Sequence, residues 1–401
     1  MHQPGRNLKR NVLLVLIFVC LAGILLMLPT GYEERVEKNA VRCRAKILEV
    51  DDSDVKQFGM IKAGDQGVTI EILDTRYKGK ILKANNPLLG QMDRDKIFKP
   101  GDTALVVLSV DADGKILYAN PQAHYRLHWQ LGLMALFAVL LILFGGWTGA
   151  KALLSFIFAA LMLWKILVPA MLKGYNPIMV SLIVVALLTG GIIFLVAGFT
   201  RKGLTAFCGA ILGVLTSCGM AIYFTKALNV HGAVLPFAET LLYAGFGHLN
   251  LTEIYMAAVF LAASGAVMDL SMDVAASMDE VAANNPGIKT LALIGSGLRV
   301  GRAVVGTMTT TLLLAYSGGY ITLLMAFMAQ GVPIANLFNL IYVAAEVLKT
   351  IVGSFGLVMV APFTALVGGI VFAKKIDVKK GRLQTAAPKR RYQEHGALTD
   401  P

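Results

Sequence analysis

Seven apolar runs, near residues 129–147, 151–170, 177–199, 203–225, 251–270, 304–328 and 353–373, constrain this chain more than any other feature. Each holds roughly 20 residues, which as a helix crosses a hydrocarbon layer about 30 Å thick. An eighth run, residues 12–28, follows Arg6, Lys9 and Arg10 and exceeds the apolar core of a cleaved signal peptide, so it reads as an uncleaved signal anchor. Charged residues make up only 15% of the chain and hydrophobic ones 56%. A soluble protein carries about a quarter charged residues. The expectation is a polytopic α-helical membrane protein of about eight spans.

The formal charge of +12 is concentrated at the ends. The N-terminus is basic, and 374–391 holds eight Lys and Arg against Asp377 alone. Short basic flanks stay in the cytoplasm, and they meet anionic membrane lipids. Both termini are therefore expected inside, and nucleic-acid binding is not. Residues 31–127 differ, with nearly balanced charge and short β-like runs "CRAKILEV", "GVTIEIL", "GKILKA", "DTALVVLSV" and "KILYAN". "DADG" is a hairpin signal. The chain thus divides into 1–30 (cytoplasmic N-terminus and anchor), 31–127 (a small extracytoplasmic β-barrel-like, OB-like domain), 128–373 (the helical membrane domain) and 374–401 (a basic, disordered cytoplasmic tail). Residues 226–250 read as an external loop or interfacial helix. Residues 333–352 read as a re-entrant or interfacial helix, or as a tilted continuation of the last span, because a ninth crossing would carry the basic tail outside.

Polar groups in apolar surroundings supply the candidate site. In "GAVMDLSMDVAASMDEV", Asp269, Asp273, Ser277 and Glu280 share one helix face. Such a stripe can ligate a cation or relay protons. The simpler reading is a helix leaving the membrane near Asp269 and stopping at "NNPG". Arg299 and Arg302 stand three apart and either pair with these carboxylates or anchor the cytoplasmic end. Thr307, Thr309, Thr310 and Thr311 follow Gly306 and either line a path or bond their own helix. Asn339, Glu346 and Lys349 lie at offsets 0, 7 and 10, near one face, with an internal Glu346–Lys349 pair as the plain alternative. The oxygen-bearing groups of the three segments are expected to meet in one sheltered pocket. Gly145/Gly149 and Gly209/Gly213 have the spacing of close helix contacts, within the chain or between copies of a homo-oligomer. Cys20, Cys43, Cys208 and Cys218 form neither a disulfide framework nor a metal motif. No P-loop, HExxH, GxSxG or CxxC is present, so the sequence gives no support for an enzyme and names no cofactor or metal.

"GAVMDLSMDVAASMDEV", "GLRVGRAVVGTMTTTLLLAYSGG" and "VGSFGLVMVAPFTAL" resemble, in the same order, signature stretches of the YibE/F family of bacterial integral membrane proteins. The likeness covers about residues 129–373. Gly265, Asp269, Ser277, Glu280, Arg299, Gly301, Gly306, Thr307, Thr309, Thr311 and Gly353 match the family pattern. Asp273 stands where that pattern has Ser, and Thr310 where it has Asn. The resemblance implies a multi-pass protein of a bacterial cytoplasmic membrane and brings no activity with it. The expected function is a permease or ion-coupled transporter. The alternative is a non-transporting assembly or sensing protein whose outer domain binds an envelope partner.

Overall fold

The computed structural model describes residues 4–35 and 39–384, with side chains from 12 to 35 and 39 to 372. The basic groups at the extreme N-terminus and the tail from 385 onward lie outside what it describes. Two compact units emerge: residues 29–146, and residues 1–28 together with 147–401.

The first unit is built on β1 (Ala40–Phe58), β2 (Ile61–Ile72), β3 (Ile81–Leu89), β4 (Thr103–Val110) and β5 (Ile116–His124). All pairings are antiparallel, in the order β3-β2-β1-β4-β5. β3 also lies beside β5, so the sheet nearly closes into a partly open five-stranded barrel. Strand alternation explains the core. Cys43, Ala45 and Ile47 point inward from β1, Val68, Ile70 and Ile72 from β2, and Ala104, Val106 and Leu108 from β4. β1 serves two partners because it is bent. Residues 40–46 pair with β4 and residues 45–58 with β2, with register shifts at Ile47/Glu49 and Asp51/Asp54. Gly64, at φ +120°, sits against the Asp54 carbonyl, where any Cβ would collide with backbone. The expected "DADG" hairpin is present. Gly114 takes φ +77°, and Asp111 Oδ1 accepts from the Lys115 N–H at 2.7 Å.

Cys43 is 2% exposed, and burial, with a smaller contribution from Asp74, pushes its thiol up to about 11 from 9.0. Below pH 9 the thiol is neutral in folded and unfolded chains alike. Between 9.0 and about 11 only the unfolded chain ionises, so this stabilisation is lost as pH rises through that window. Iodoacetamide at pH 8 should leave Cys43 unmodified in the folded protein and alkylate it after denaturation, as read by peptide mass spectrometry. Modification at equal rates in both states would contradict a sealed barrel core.

The helices follow in sequence. α1 is Pro4–Met27, and α2 is Leu127–Met162, which runs through a π turn at Leu163–Leu167 into α3 (Val168–Leu172). Then come α4 (Pro177–Ala197), α5 (Arg201–Ala227), α6 (Ala238–Tyr243), α7 (Leu251–Asn284), α8 (Thr290–Ala329), α9 (Ile334–Asn339) and α10 (Ile341–Gln384). Among the described residues six helices are long and apolar enough to cross a membrane, where the sequence suggested eight. The difference has two sources. Residues 127–172 form one continuous helix broken only at Gly146, whose backbone is non-helical, and among the residues described with side chains α1 contributes only the shorter apolar stretch Val12–Met27.

Four further boundaries move. The first unit extends to Gly146 rather than 127, because the first half of α2 keeps its side chains exposed and continues directly from the barrel. α8 begins at Thr290, well before 304. Its glycines do not break it, because they are contact points: a Cβ on Gly301 would stand 2.5 Å from the Ala361 Cβ, and one on Gly297 2.5 Å from the Met278 sulfur. Residues 341–352 are the opening turns of the last long helix, the continuation among the three forms expected for 333–352. The start of the basic tail, expected to be disordered from 374, is helical to Gln384.

α5, α7 and α10 form the centre of the second unit, and α4 and α8 pack along α7. Their core combines α7's Phe260, Val267, Leu270, Val274 and Met278 with Ala206, Ala210 and Val214 of α5 and Leu357, Val360 and Ala365 of α10. Small residues let α5 and α10 touch closely. Gly209 faces Thr364, and Gly213 faces Val360 and the Gly356 carbonyl. This glycine pair therefore makes a contact within the chain.

Candidate functional site

α7 supplies one wall to each of two cavities. The first, ≈ 430 Å³, lies where α4, α7 and α8 meet, and includes Asp269, Asp273, Met268, Met272 and Met308 in its lining. Ser271, Val274, Ala275 and Met278 occupy the buried side of α7, so the acidic stripe falls on the opposite side by helical geometry. Asp269, Asp273 and Glu280 are exposed and Ser277 is half-buried. Of this stripe only Asp269 and Asp273 line the cavity. The helix continues past Asp269 and ends at Asn284, at the expected "NNPG" stop.

The second cavity, ≈ 390 Å³, is framed by α7, α8, α10 and the 234–236 loop. Four tyrosines, Tyr255, Tyr316, Tyr320 and Tyr342, surround Glu346 and Lys349 there. Lys349 Nζ is 3.5 Å from Glu346 Oε2 and 5.3 Å from the Tyr316 ring centroid, so one cation meets a carboxylate and an aromatic face together. The Tyr255 hydroxyl donates to the Ala345 carbonyl at 2.6 Å, fixing α7 against α10. Among the described residues the buried Tyr316 hydroxyl has no hydrogen-bond partner. A cavity with an aromatic wall, one carboxylate, one ammonium and a free hydroxyl is equipped to hold a small polar or cationic solute.

The cavities are separate. Tyr255 and Asp269 are fourteen residues apart on α7, about 21 Å at 1.5 Å per residue. The single shared pocket expected from the sequence is thus replaced by two stations at different levels of one helix. The threonines join neither. Thr307, Thr309, Thr310 and Thr311 each donate to a carbonyl of their own helix three or four residues back, at 2.9–3.1 Å. Asn339 is also apart. The backbone of Leu340 is extended, which separates α9 from α10, and the Asn339 amide donates to Ala335 O at 2.7 Å. Arg299 and Arg302 are exposed on α8, and among the described residues no salt bridge joins either to Asp269 or Asp273.

The sequence reading missed the tyrosines. They come from three segments spread over 87 positions, and nothing short of the packing of α7, α8 and α10 brings them together. The methionines beside Asp269 carried no signal either, because Met at helical spacing reads as ordinary core.

These features define a bundle of long apolar helices with carboxylates opening into two cavities, joined in sequence to a separate β-barrel unit. The family model described as YibE/F-like protein matches residues 133–374. That is more than half of the chain, which belongs to this family. No curated protein and no solved structure matched the chain.

Proposed function

We propose that this protein is a permease or ion-coupled transporter of the membrane, passing a cation or proton between the two cavities along α7. One observation carries the reading: two carboxylate-bearing cavities, one with Asp269 and Asp273 of α7 and one with Glu346 of α10, share α7 as a wall at levels about 21 Å apart along that helix. A carboxylate at the centre of a bilayer costs about 3 kcal/mol unless it is hydrated or paired. Two exposed aspartates beside apolar α4 are thus best accounted for by a water-filled station. Sidedness follows from α10. Glu346 lies near its start, while Lys374, Lys375, Lys379, Lys380 and Arg382 lie at its end. With the basic end inside, the Glu346 cavity opens outward and the Asp269 cavity toward the cytoplasm. Counting Val12–Met27 and the two halves of the broken helix as separate crossings gives eight spans, both termini inside and the barrel outside.

A second reading, a non-transporting assembly or sensing protein, draws on the barrel being a compact unit with its own core. Flux separates the two. Purified protein in liposomes should conduct protons or monovalent cations above empty vesicles, and Asp269→Asn and Glu346→Gln should each lower that flux at least about tenfold, the rate equivalent of 1.4 kcal/mol. Unchanged flux in both variants, with each still folded, would refute transport through these stations.

A further inference from the structure

Independently of transport, the β-barrel unit carries an apolar crown that its proposed function does not use. The tip of the β1–β2 hairpin exposes Phe58 (64%), Met60 (84%) and Ile61, and the end of β3 with its following loop exposes Leu89 and Met92. These are neighbours. Phe58 pairs with Ile61, Leu89 pairs with Ala63, and Ile61 Cγ2 lies 3.4 Å from where a Gly90 Cβ would stand. A cluster of large apolar side chains at one end of a small domain marks an interaction surface.

The same end of the barrel launches α2. β1, β3 and β5 run in one direction along the barrel and β2 and β4 in the other, so the hairpin tip, the β3–β4 loop and the end of β5 share an end. Side-chain contacts agree. From the β3–β4 segment, Asp102 Oδ2 is 3.7 Å from His124 Nδ1, and the Phe98 ring centroid is 4.9 Å from that of His124. At the opposite end the Asp111–Gly114 turn is held by the Tyr77 hydroxyl, which donates to Gly114 O at 2.7 Å. Three residues beyond β5, α2 begins its apolar run at Leu127. Tyr125 stacks on His128 there at a centroid separation of 5.6 Å, and the His128 ring lies tilted 5.2 Å from that of Trp129, which is well exposed. Amphipathic rings at the start of an apolar helix mark the headgroup level of a bilayer.

Charge supplies the second argument. Lys56 and Lys62 flank the tip, and the acidic residues of the hairpin, Asp51, Asp52, Asp54 and Asp65, stand further from it. Ammonium groups placed just behind apolar side chains suit lipid phosphates above acyl chains.

We infer that the Phe58–Ile61 hairpin tip docks on the lipid bilayer at the face where α2 enters, with Phe58, Met60 and Ile61 among the upper acyl chains and Lys56 and Lys62 at the phosphates. The barrel is thereby held to the membrane at a second point besides α2. The test is spin-label accessibility in the full chain, reconstituted in phosphatidylcholine–phosphatidylglycerol nanodiscs. Cys20 and Cys208 are replaced by Ala, while Cys43 and Cys218 are buried. Single labels are placed by Met60→Cys and, at the opposite end of the barrel, Leu117→Cys. Both native side chains are exposed, so neither change disturbs the core. The ratio of oxygen to nickel-complex collisions should be several-fold higher at 60 than at 117. Equal, water-like ratios at the two positions would overturn the inference. So would a label at 60 shielded from both collision partners, which would place a protein surface over the tip.

Discussion

Valine in place of Gly213 is expected to break the helical unit apart. A first Cβ at that position would stand 2.8 Å from Val267 Cγ1, 3.0 Å from Val360 Cβ and 3.2 Å from the Gly356 carbonyl oxygen. These three contacts belong to α7 and α10, the other two helices of the central trio, so relief in one direction worsens another. Overpacking a filled core costs about 1–3 kcal/mol. The branched side chain meets a backbone carbonyl that no rotamer change can move, which puts Gly213→Val at the upper end, near 3 kcal/mol. Gly219, six residues further along α5 and on another face of it, is the internal control, because a Cβ there meets nothing within 4 Å. In detergent, scanning calorimetry should show Gly213→Val unfolding many degrees below the wild type and Gly219→Ala unchanged. Similar midpoints for all three proteins would mean that α5, α7 and α10 are not packed as described.

Much of this architecture was legible because it rests on local rules. Apolar runs of membrane length gave the long helices, and the turn residues at Asp111–Gly114 gave the last hairpin of the barrel. The hairpin formed by 51–67 was not legible. "DDSDVKQFGMIKAGDQ" is polar and carries most of its side chains in solvent, so it reads as a loop, yet its backbone ladder runs from Asp51↔Gly67 to Phe58↔Ile61. The beginning of α8 was missed for a related reason. The apolar run begins only after Arg299 and Arg302, so the turns before 304 carry no membrane-span signal, although Gly297 and Gly301 are where Met278 and Ala361 approach the helix.

At the site, the sequence could place Asp269, Asp273 and Glu280 on one face, because that follows from helical spacing alone. Spacing could not show that Asn339 leaves the face of Glu346, since that depends on the extended backbone of Leu340. Nor could it show that Glu346 sits among tyrosines rather than beside the threonines. That juxtaposition is made by packing between helices far apart in sequence.

The central claim is that the two carboxylate-lined cavities open to opposite sides of one membrane. Single cysteines test it most directly, at Tyr342 beside Glu346 and at Met272 between Asp269 and Asp273. Both are introduced into protein whose Cys20 and Cys208 have been replaced, in sealed vesicles of uniform orientation. A membrane-impermeant maleimide added outside should label Tyr342→Cys almost completely and Met272→Cys almost not at all, and permeabilising the vesicles should expose the second position. Labelling of both from the same side would contradict a route between the cavities and leave two unrelated surface clefts.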